Sequence, residues 1–139
     1  MKLVRVVLGA MVLAVAGCGA GGNPDAERQA VQSAKAWLEL VDDGDYGRSW
    51  DEAAGPFKTA VTAEGWEQSM GRARKPFGAV VSRKVKSKTY ATSLPGAPDG
   101  EYVVIQYDTV FDNKRAAVET VTPMRDDDGT WRVSGYYVN

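Results

Sequence analysis

The chain has 139 residues, enough for one domain, and its 25% charged and 44% hydrophobic residues exclude wholesale disorder. It carries 17 basic and 18 acidic residues. The first seventeen residues contain two basic residues and no acidic one. Without them the chain has 15 basic and 18 acidic residues, a net charge of −3. This mild negative balance argues against a nucleic-acid partner, because nucleic-acid binding favours a basic patch.

The first segment has the form of a secretory signal. A basic leader, MKLVR, precedes the twelve apolar residues VVLGAMVLAVAG, whereas a membrane-spanning helix needs about twenty. Small residues then lead directly to Cys18, the single cysteine of the chain. This pattern resembles the lipobox of bacterial lipoproteins. The resemblance implies cleavage between Gly17 and Cys18, a diacylglyceryl group on the Cys18 thiol, and attachment to a membrane through acyl chains.

The residues after Cys18 predict a short tether and indicate which membrane holds it. The tether is rich in glycine and short, so the domain stays close to the bilayer. In lipoproteins of Gram-negative bacteria, an aspartate directly after the anchor favours the inner membrane. Because Gly19 occupies that position, the resemblance implies the outer membrane, facing the periplasm. The predicted organisation is a signal peptide (1–17), a lipidated tether (18–23) and a single domain (24–139).

Helical patterns begin the domain. Asn23 is a predicted N-cap, because proline follows it and apolar residues recur at helical spacing as far as Gly44. Asp45 and Thr62 are the predicted caps of two later helices. A shorter helical segment around Phe57 follows the Gly-Pro break between them. These four segments predict a helical layer.

From residue 78 the apolar spacing changes to the alternation of strands. In the first strand, Val81 and Val85 alternate with serine and lysine, which predicts buried valines and a solvated lysine face. Three more strands are predicted around 103–111, 116–124 and 131–137. In the last of these, Trp131, Val133 and Tyr137 alternate, which predicts that all three face the core. The four strands are connected by the loop SLPGAPDG, a two-residue turn at Asp112–Asn113 and a DDDG turn. Aspartate and asparagine both tolerate positive φ, which suits the two-residue turn. The pattern predicts an α+β domain with helices on one face of a curved four-stranded antiparallel sheet.

Several stretches, in order, resemble the DUF4019 family of small exported bacterial proteins of unknown function. They are AWLELVDDGDYGRSWDEAAGPFK, a W-x(7)-R pattern from Trp66 to Arg74, KPFG, LPGAPDGEY and GTWRVSGYYV. The resemblance covers nearly the whole predicted domain. It implies a cystatin-like or NTF2-like α+β fold, and it implies no catalytic or binding residues.

The composition limits the chemistry of the chain. Without histidine there is no imidazole metal site and no histidine-dependent triad, and no thiol nucleophile remains once Cys18 is lipidated. The acidic runs VDDGD and RDDDG suggest calcium, but neither has the twelve-residue spacing of an EF-hand loop. There is also no glycine-rich phosphate loop. We therefore expect no cofactor, no metal and no nucleic acid.

Five residues form a candidate pocket between the helices and the sheet. Arg83 and Glu119 fall in the mostly apolar registers of the first and third strands. If both point inward they form a buried ion pair, because either charge alone would be costly to bury. Such a pair is either structural or the polar base of a pocket, unless both residues lie on the solvated face. Trp66, Tyr107 and Trp131 are candidate walls of this pocket, although aromatic residues at these spacings are more often core.

Three classes of function stay open, and we expect the first. It is a non-catalytic envelope lipoprotein that binds a protein partner. The second is a carrier of a small apolar molecule or lipid, which an aromatic-lined cavity would favour and a filled core would disfavour. The third is an isomerase or dehydratase of the NTF2-like kind, with an aspartate base beside a tyrosine donor. Tyr107 and Asp108 point to opposite faces of a strand and cannot be that pair, which leaves Tyr46 with Asp108 or Glu119.

Overall fold

The computed structural model describes residues 22–139. The helices in this range are α1 (Pro24–Asp42), α2 (Tyr46–Asp51), α3 (Gly55–Ala60) and α4 (Ala63–Ala73), followed by a 3-10 turn (Lys75–Phe77). The strands are β1 (Val80–Ala91), β2 (Tyr102–Phe111), β3 (Lys114–Arg125) and β4 (Trp131–Val138). None of the described helices is long and apolar enough to cross a membrane. The predicted signal peptide, its cleavage site and Cys18 lie outside the described residues.

Side-chain caps begin three of the helices at the predicted residues. The side-chain oxygens of Asn23, Asp45 and Thr62 each accept a hydrogen bond from a backbone N–H in the first turn of α1, α2 and α4. Each cap satisfies one of the donors that a helix N-terminus leaves without an internal partner. α3 has no side-chain cap and instead starts with Gly55–Pro56. This dipeptide therefore separates α2 from the next helix and also begins that helix, since proline suits the first turn.

The strands form one antiparallel sheet in the order β1-β2-β3-β4, and the helices cover one of its faces. Alternate residues of β2, β3 and β4 enter a single core with the buried residues of α1 and α4. Aromatic rings fill the centre of this core. Ring centroids of Trp66 lie 4.9 Å from Phe57 and 6.0 Å from Trp37, and Trp37 lies 5.3 Å from Tyr136. The α+β prediction is thus confirmed.

β1 is more exposed than its alternating pattern predicts. The side chains of Val81 and Val85 are 64% and 48% exposed, so the prediction that they are buried is wrong. Register shifts against β2 leave Val81 and Lys86 as extra residues, which interrupts the alternation. β1 is also an edge strand with a neighbour on one side only, so its side chains lack the cover that central strands receive.

A bulge in β4 changes which of its residues face the helices. Trp131 and Val133 point into the core as predicted, but Tyr136 follows them there rather than Tyr137. The register shift opposite β3 leaves Ser134 as the extra residue. Because one extra residue reverses the alternation beyond it, the predicted inward position of Tyr137 is wrong.

The β2–β3 hairpin turns at Asp112–Asn113, as predicted, but by a different backbone geometry. Neither residue has a positive φ, contrary to the expectation from their residue types. Their N–H groups donate instead to the carbonyls of Ala79 and Phe77, both at 2.9 Å. Contacts with the segment before β1 therefore hold this turn.

Candidate functional site

Charged and hydroxyl side chains from six elements (α1, the end of α4 and all four strands) meet between the end of α1 and the inner face of the sheet. The strand register explains the meeting, since residues paired across neighbouring strands point to the same face. Arg83 of β1 pairs with Thr109 of β2, and Tyr107 of β2 pairs with Glu119 of β3. We call this cluster the Glu119 network; its members are Asp42, Arg74, Arg83, Tyr107, Thr109, Glu119 and Tyr136.

Glu119 is the centre of the network and is 0% exposed. Its carboxylate accepts hydrogen bonds from Arg83 Nε at 2.7 Å and Arg83 Nη2 at 3.2 Å. It also accepts from Thr109 Oγ1 at 2.6 Å and from the Tyr136 hydroxyl at 2.5 Å. A buried carboxylate is tolerated when it is both paired and hydrogen-bonded, and Glu119 meets both conditions. The ion pair considered from the sequence is therefore present.

Arg83 connects Glu119 to the end of α1. Its two terminal nitrogens donate to the two carboxylate oxygens of Asp42 at 2.8 and 2.9 Å, a bidentate arrangement. Asp42 also accepts from Arg74 Nη2 at 3.2 Å, and Arg74 Nη1 donates to the Gly78 carbonyl at 2.7 Å. Two arginines and two carboxylates thus balance each other in charge and hold α1, the end of α4 and the sheet together.

The surroundings keep the arginine charged and the tyrosines neutral. Burial lowers the pKa of Arg83, but hydrogen bonds to Asp42 and Glu119 outweigh it and raise that pKa above its ordinary value. Burial raises the pKa of Tyr107 to about 12. Burial and then the charge of Glu119 raise the pKa of Tyr136 well above its ordinary value. Both tyrosines are therefore neutral hydroxyls at physiological pH.

The Tyr107 hydroxyl has an unusual position in the network. It is buried and has no hydrogen-bond partner among the described residues, although it lies beside Arg83 and Glu119. A buried hydroxyl without a partner costs about 1–3 kcal/mol. This hydroxyl and Arg74 Nε, which is likewise buried and without a partner among the described residues, are therefore the groups of the network that are available to bind another polar atom.

The structure separates the two tryptophans of the candidate pocket from its charged members. Trp66 is fully buried, and its indole N–H donates to Ser49 Oγ at 2.9 Å. Trp131 is buried at the start of β4, whereas the network contacts the end of that strand. The members of the candidate pocket that do come together are Arg83, Tyr107 and Glu119.

Three members of the network, Asp42, Arg74 and Thr109, are site residues that the sequence did not identify. Asp42 lies in the VDDGD run, where the acidic pattern suggests a metal rather than two arginines. Arg74 ends the W-x(7)-R pattern, which shows that the residue is part of a motif but not what it contacts. Thr109 carried a usable signal, because it is a polar residue in the apolar register of β2. Tyr136 is one of the aromatic residues that the sequence offers as a wall of the cleft, but its hydrogen bond to Glu119 was not predicted.

A groove lies on the opposite face of the sheet, away from the helices. Its volume is about 370 Å³, and Ser82, Lys84, Asp108, Val110, Arg115 and Val118 are among the residues that line it. Cations, a carboxylate and apolar side chains thus share one open surface. This groove differs from the predicted cleft, which was expected between the helices and the sheet.

The family model described as "Protein of unknown function (DUF4019)" matches residues 33–136. The matched range contains every member of the Glu119 network. No curated protein and no solved structure matches the chain.

Proposed function

We propose the following function for this chain, which belongs to the DUF4019 family, a family of unknown function. In this proposal the domain is a non-catalytic module that binds another protein of the bacterial envelope, and lipid on Cys18 holds it at the membrane. We also propose that the fold is related to the NTF2-like or cystatin-like folds. The order of helices before a single antiparallel sheet, with helices on one face, supports that relationship.

One observation supports a non-catalytic role above the others: the carboxylates inside the domain are already bound by its own arginines and hydroxyls. Glu119 already accepts four hydrogen bonds, and Asp42 already binds both Arg83 and Arg74. A general base must reach a proton of its substrate, and Glu119 would have to give up internal hydrogen bonds to do so. The arrangement suits a structural connection between α1, α4 and the sheet.

The aromatic packing supports a partner on the outside of the domain. A carrier of apolar molecules needs a cavity between the helices and the sheet, and aromatic residues are the usual walls of such cavities. Here Trp37, Phe57, Trp66 and Tyr136 contact one another instead. A partner protein would therefore use the outer surface of the domain.

The anchor supplies the location in this proposal. Each buried methylene contributes about 0.8 kcal/mol, and two or more acyl chains give stable attachment. Gly19 favours the outer membrane, facing the periplasm, if the host is Gram-negative. The chain has no second cysteine, so an exported domain must be stable through its core and the Glu119 network without a disulfide.

Replacing Cys18 tests the anchor. Cells that express the full chain are grown with a labelled palmitate analogue, and we expect label on the wild type but none on Cys18→Ser, which stays an unprocessed precursor. Ala20→Ser is the matched control and should keep both label and processing. Equal labelling of Cys18→Ser would contradict the proposed anchor.

Native mass spectrometry tests the difference between an interaction module and a carrier. The mature protein is released gently from its own membranes, and the mass of its covalent lipid is accounted for separately. We expect no further small molecule. A reproducible additional mass that disappears on denaturation would contradict the module and favour a carrier.

Tyr107 favours a second candidate function, the binding of a small polar ligand beside the network. Its unpartnered hydroxyl lies near Arg83 and Glu119, an arrangement that a carrier, or an isomerase with Glu119 as base, would use. Tyr107→Phe distinguishes the two candidates. If the domain is an interaction module, the variant is at least as stable as the wild type and its native mass spectrum shows no loss. If a ligand binds there, the variant loses an additional mass that the wild type retains.

A further inference from the structure

The helical layer bonds to the main chain at the β4 edge of the sheet but not at the β1 edge. Along β4, the carbonyl of Trp131 accepts from Ser33 Oγ and the carbonyl of Val133 accepts from the N–H of Ala54, both at 2.8 Å. α1 and the start of α3 therefore cover part of that edge. β1 bonds to β2 along one side, and within residues 22–139 no other element bonds to its main chain. The β1 edge is left open as a template for another strand.

The open edge is also positively charged and partly apolar. Lys84, Lys86 and Lys88 are exposed, and β1 contains no acidic residue. Every ion pair among the described residues has arginine as its cation, so these lysines have no carboxylate partner. The exposed large apolar side chains in the described range, Val81 and Val85, lie on the same strand. β1 is thus a positive strip on a protein whose predicted mature form has a net charge of −3.

We infer that the β1 edge is the docking site for an extended acidic segment of a partner protein, which adds to the sheet as a fifth strand. This inference rests on the proposed function and names the surface and the chemistry that the module would use. Main-chain hydrogen bonds to the open edge provide affinity, and the lysines select a segment rich in glutamate or aspartate. Val81 and Val85, both exposed on this strand, provide apolar contacts for the docked segment.

The same lysines disfavour a second copy of this chain. Two β1 edges side by side would bring lysines opposite lysines, and like charges directly opposite each other are destabilising. An acidic strand reverses the sign of this interaction. Asp108 lies opposite Lys84 on β2, but Lys88 lies opposite Ile105 and Lys86 occupies a bulge, so we place the acidic side chains nearest these two lysines.

A charge-reversal titration tests the inference. The mature lipidated protein in nanodiscs is mixed with a short blocked peptide of glutamate and valine, labelled for fluorescence anisotropy. The peptide carries glutamate on both of its faces, because Lys84 lies opposite Asp108 whereas Lys88 lies opposite the core residue Ile105 and so points to the other face of the sheet. We expect binding that weakens with added salt, together with slower hydrogen exchange at the β1 amides that do not bond to β2. Reversing Lys84, Lys86 and Lys88 to glutamate should weaken binding about tenfold or more. This triple variant should instead bind a peptide in which lysine replaces glutamate.

Matched controls separate strand addition from general charge attraction. A variant with Lys35, Arg72 and Lys75 reversed to glutamate has the same change in net charge on exposed helical positions and should bind as the wild type does. A peptide with the same charges but N-methylated at alternate residues cannot form the ladder and should not bind. Equal binding of the N-methylated peptide, or protection away from β1, would overturn the inference.

The result also separates this inference from the proposed function. The edge assignment is wrong if the acidic peptide does not bind, and it is wrong if the triple variant binds it as tightly as the wild type. The interaction module still stands in either case when cross-linking in cells joins other exposed positions to an envelope protein. If no exposed position gives a protein adduct, the module itself is contradicted.

Discussion

Replacing Glu119 by glutamine tests whether the network holds the fold together. The substitution keeps the shape of a fully buried side chain but removes the charge that Arg83 binds and turns one acceptor oxygen into a donor. Hydrogen bonds to charged groups contribute about 1.5–3 kcal/mol each, and breaking a buried ion pair costs about 3–5 kcal/mol. Asp42 still pairs with Arg83 in the variant, which reduces the loss. We expect the free energy of unfolding to fall by about 2–4 kcal/mol.

Urea unfolding followed by tryptophan fluorescence measures this change, because Trp37 and Trp66 lie in the core. Glu101→Gln is the matched control: its partner Arg125 is 52% exposed and Glu101 itself 32%, so the loss should stay below about 1 kcal/mol. If Glu119→Gln is as stable as the wild type or more stable, the structural role is refuted. The protein would then retain the carboxylate although it lowers stability, which is typical of residues that serve a function.

Trp131→Ala should lower the free energy of unfolding by about 3–5 kcal/mol, since it empties a buried aromatic site; an unchanged melting temperature would place Trp131 at a surface. Ser49→Ala should cost about 1–3 kcal/mol in urea unfolding, because it removes the buried acceptor of the Trp66 indole N–H; no loss would mean that this N–H finds another acceptor. The folded pKa of Tyr107, about 12, exceeds its unfolded value, so stability is complete below about pH 10 and falls by about 2 kcal/mol towards pH 12. Tyr107→Phe should remove this part of the alkaline loss, and an identical pH dependence of unfolding in the variant would contradict the assignment.

The helical half of the fold was predictable because its signals are local. Asn23, Asp45 and Thr62 act as caps through hydrogen bonds within their own first turns. The buried row of α1 follows from a spacing that the sequence displays directly. The strand order was also predictable, because short connections favour pairing between consecutive antiparallel strands.

It was less predictable which residues of each strand face the core and how deeply they are buried. The extra residues at Val81, Lys86 and Ser134 have no consistent local signature, yet each shifts the side chains that follow it. The exposure of Val85 depends on which strand lies at the edge and on how far the helices cover it. Both properties arise from tertiary packing.

The candidate site divides in the same way. The sequence offered Arg83 and Glu119 as a pair, because each interrupts an apolar register and a buried charge requires a partner, but it left open whether both lie on the solvated face instead. Asp42 and Arg74 reach the pair from two helices, and their approach depends on how those helices pack on the sheet. A local sequence pattern cannot show how closely those two helices approach Arg83 and Glu119.

Photo-cross-linking in intact cells tests most directly the claim that this domain is an anchored interaction module. A photoreactive amino acid replaces Lys86 at the β1 edge of the full-length chain, or Lys35 on the exposed face of α1 as a control. We expect one discrete adduct from position 86 that joins β1 to an acidic segment of an envelope protein, and none from position 35. Irradiation without an adduct at position 86 would contradict the docking edge, and the absence of a protein adduct from every exposed position substituted in this way would contradict the interaction module.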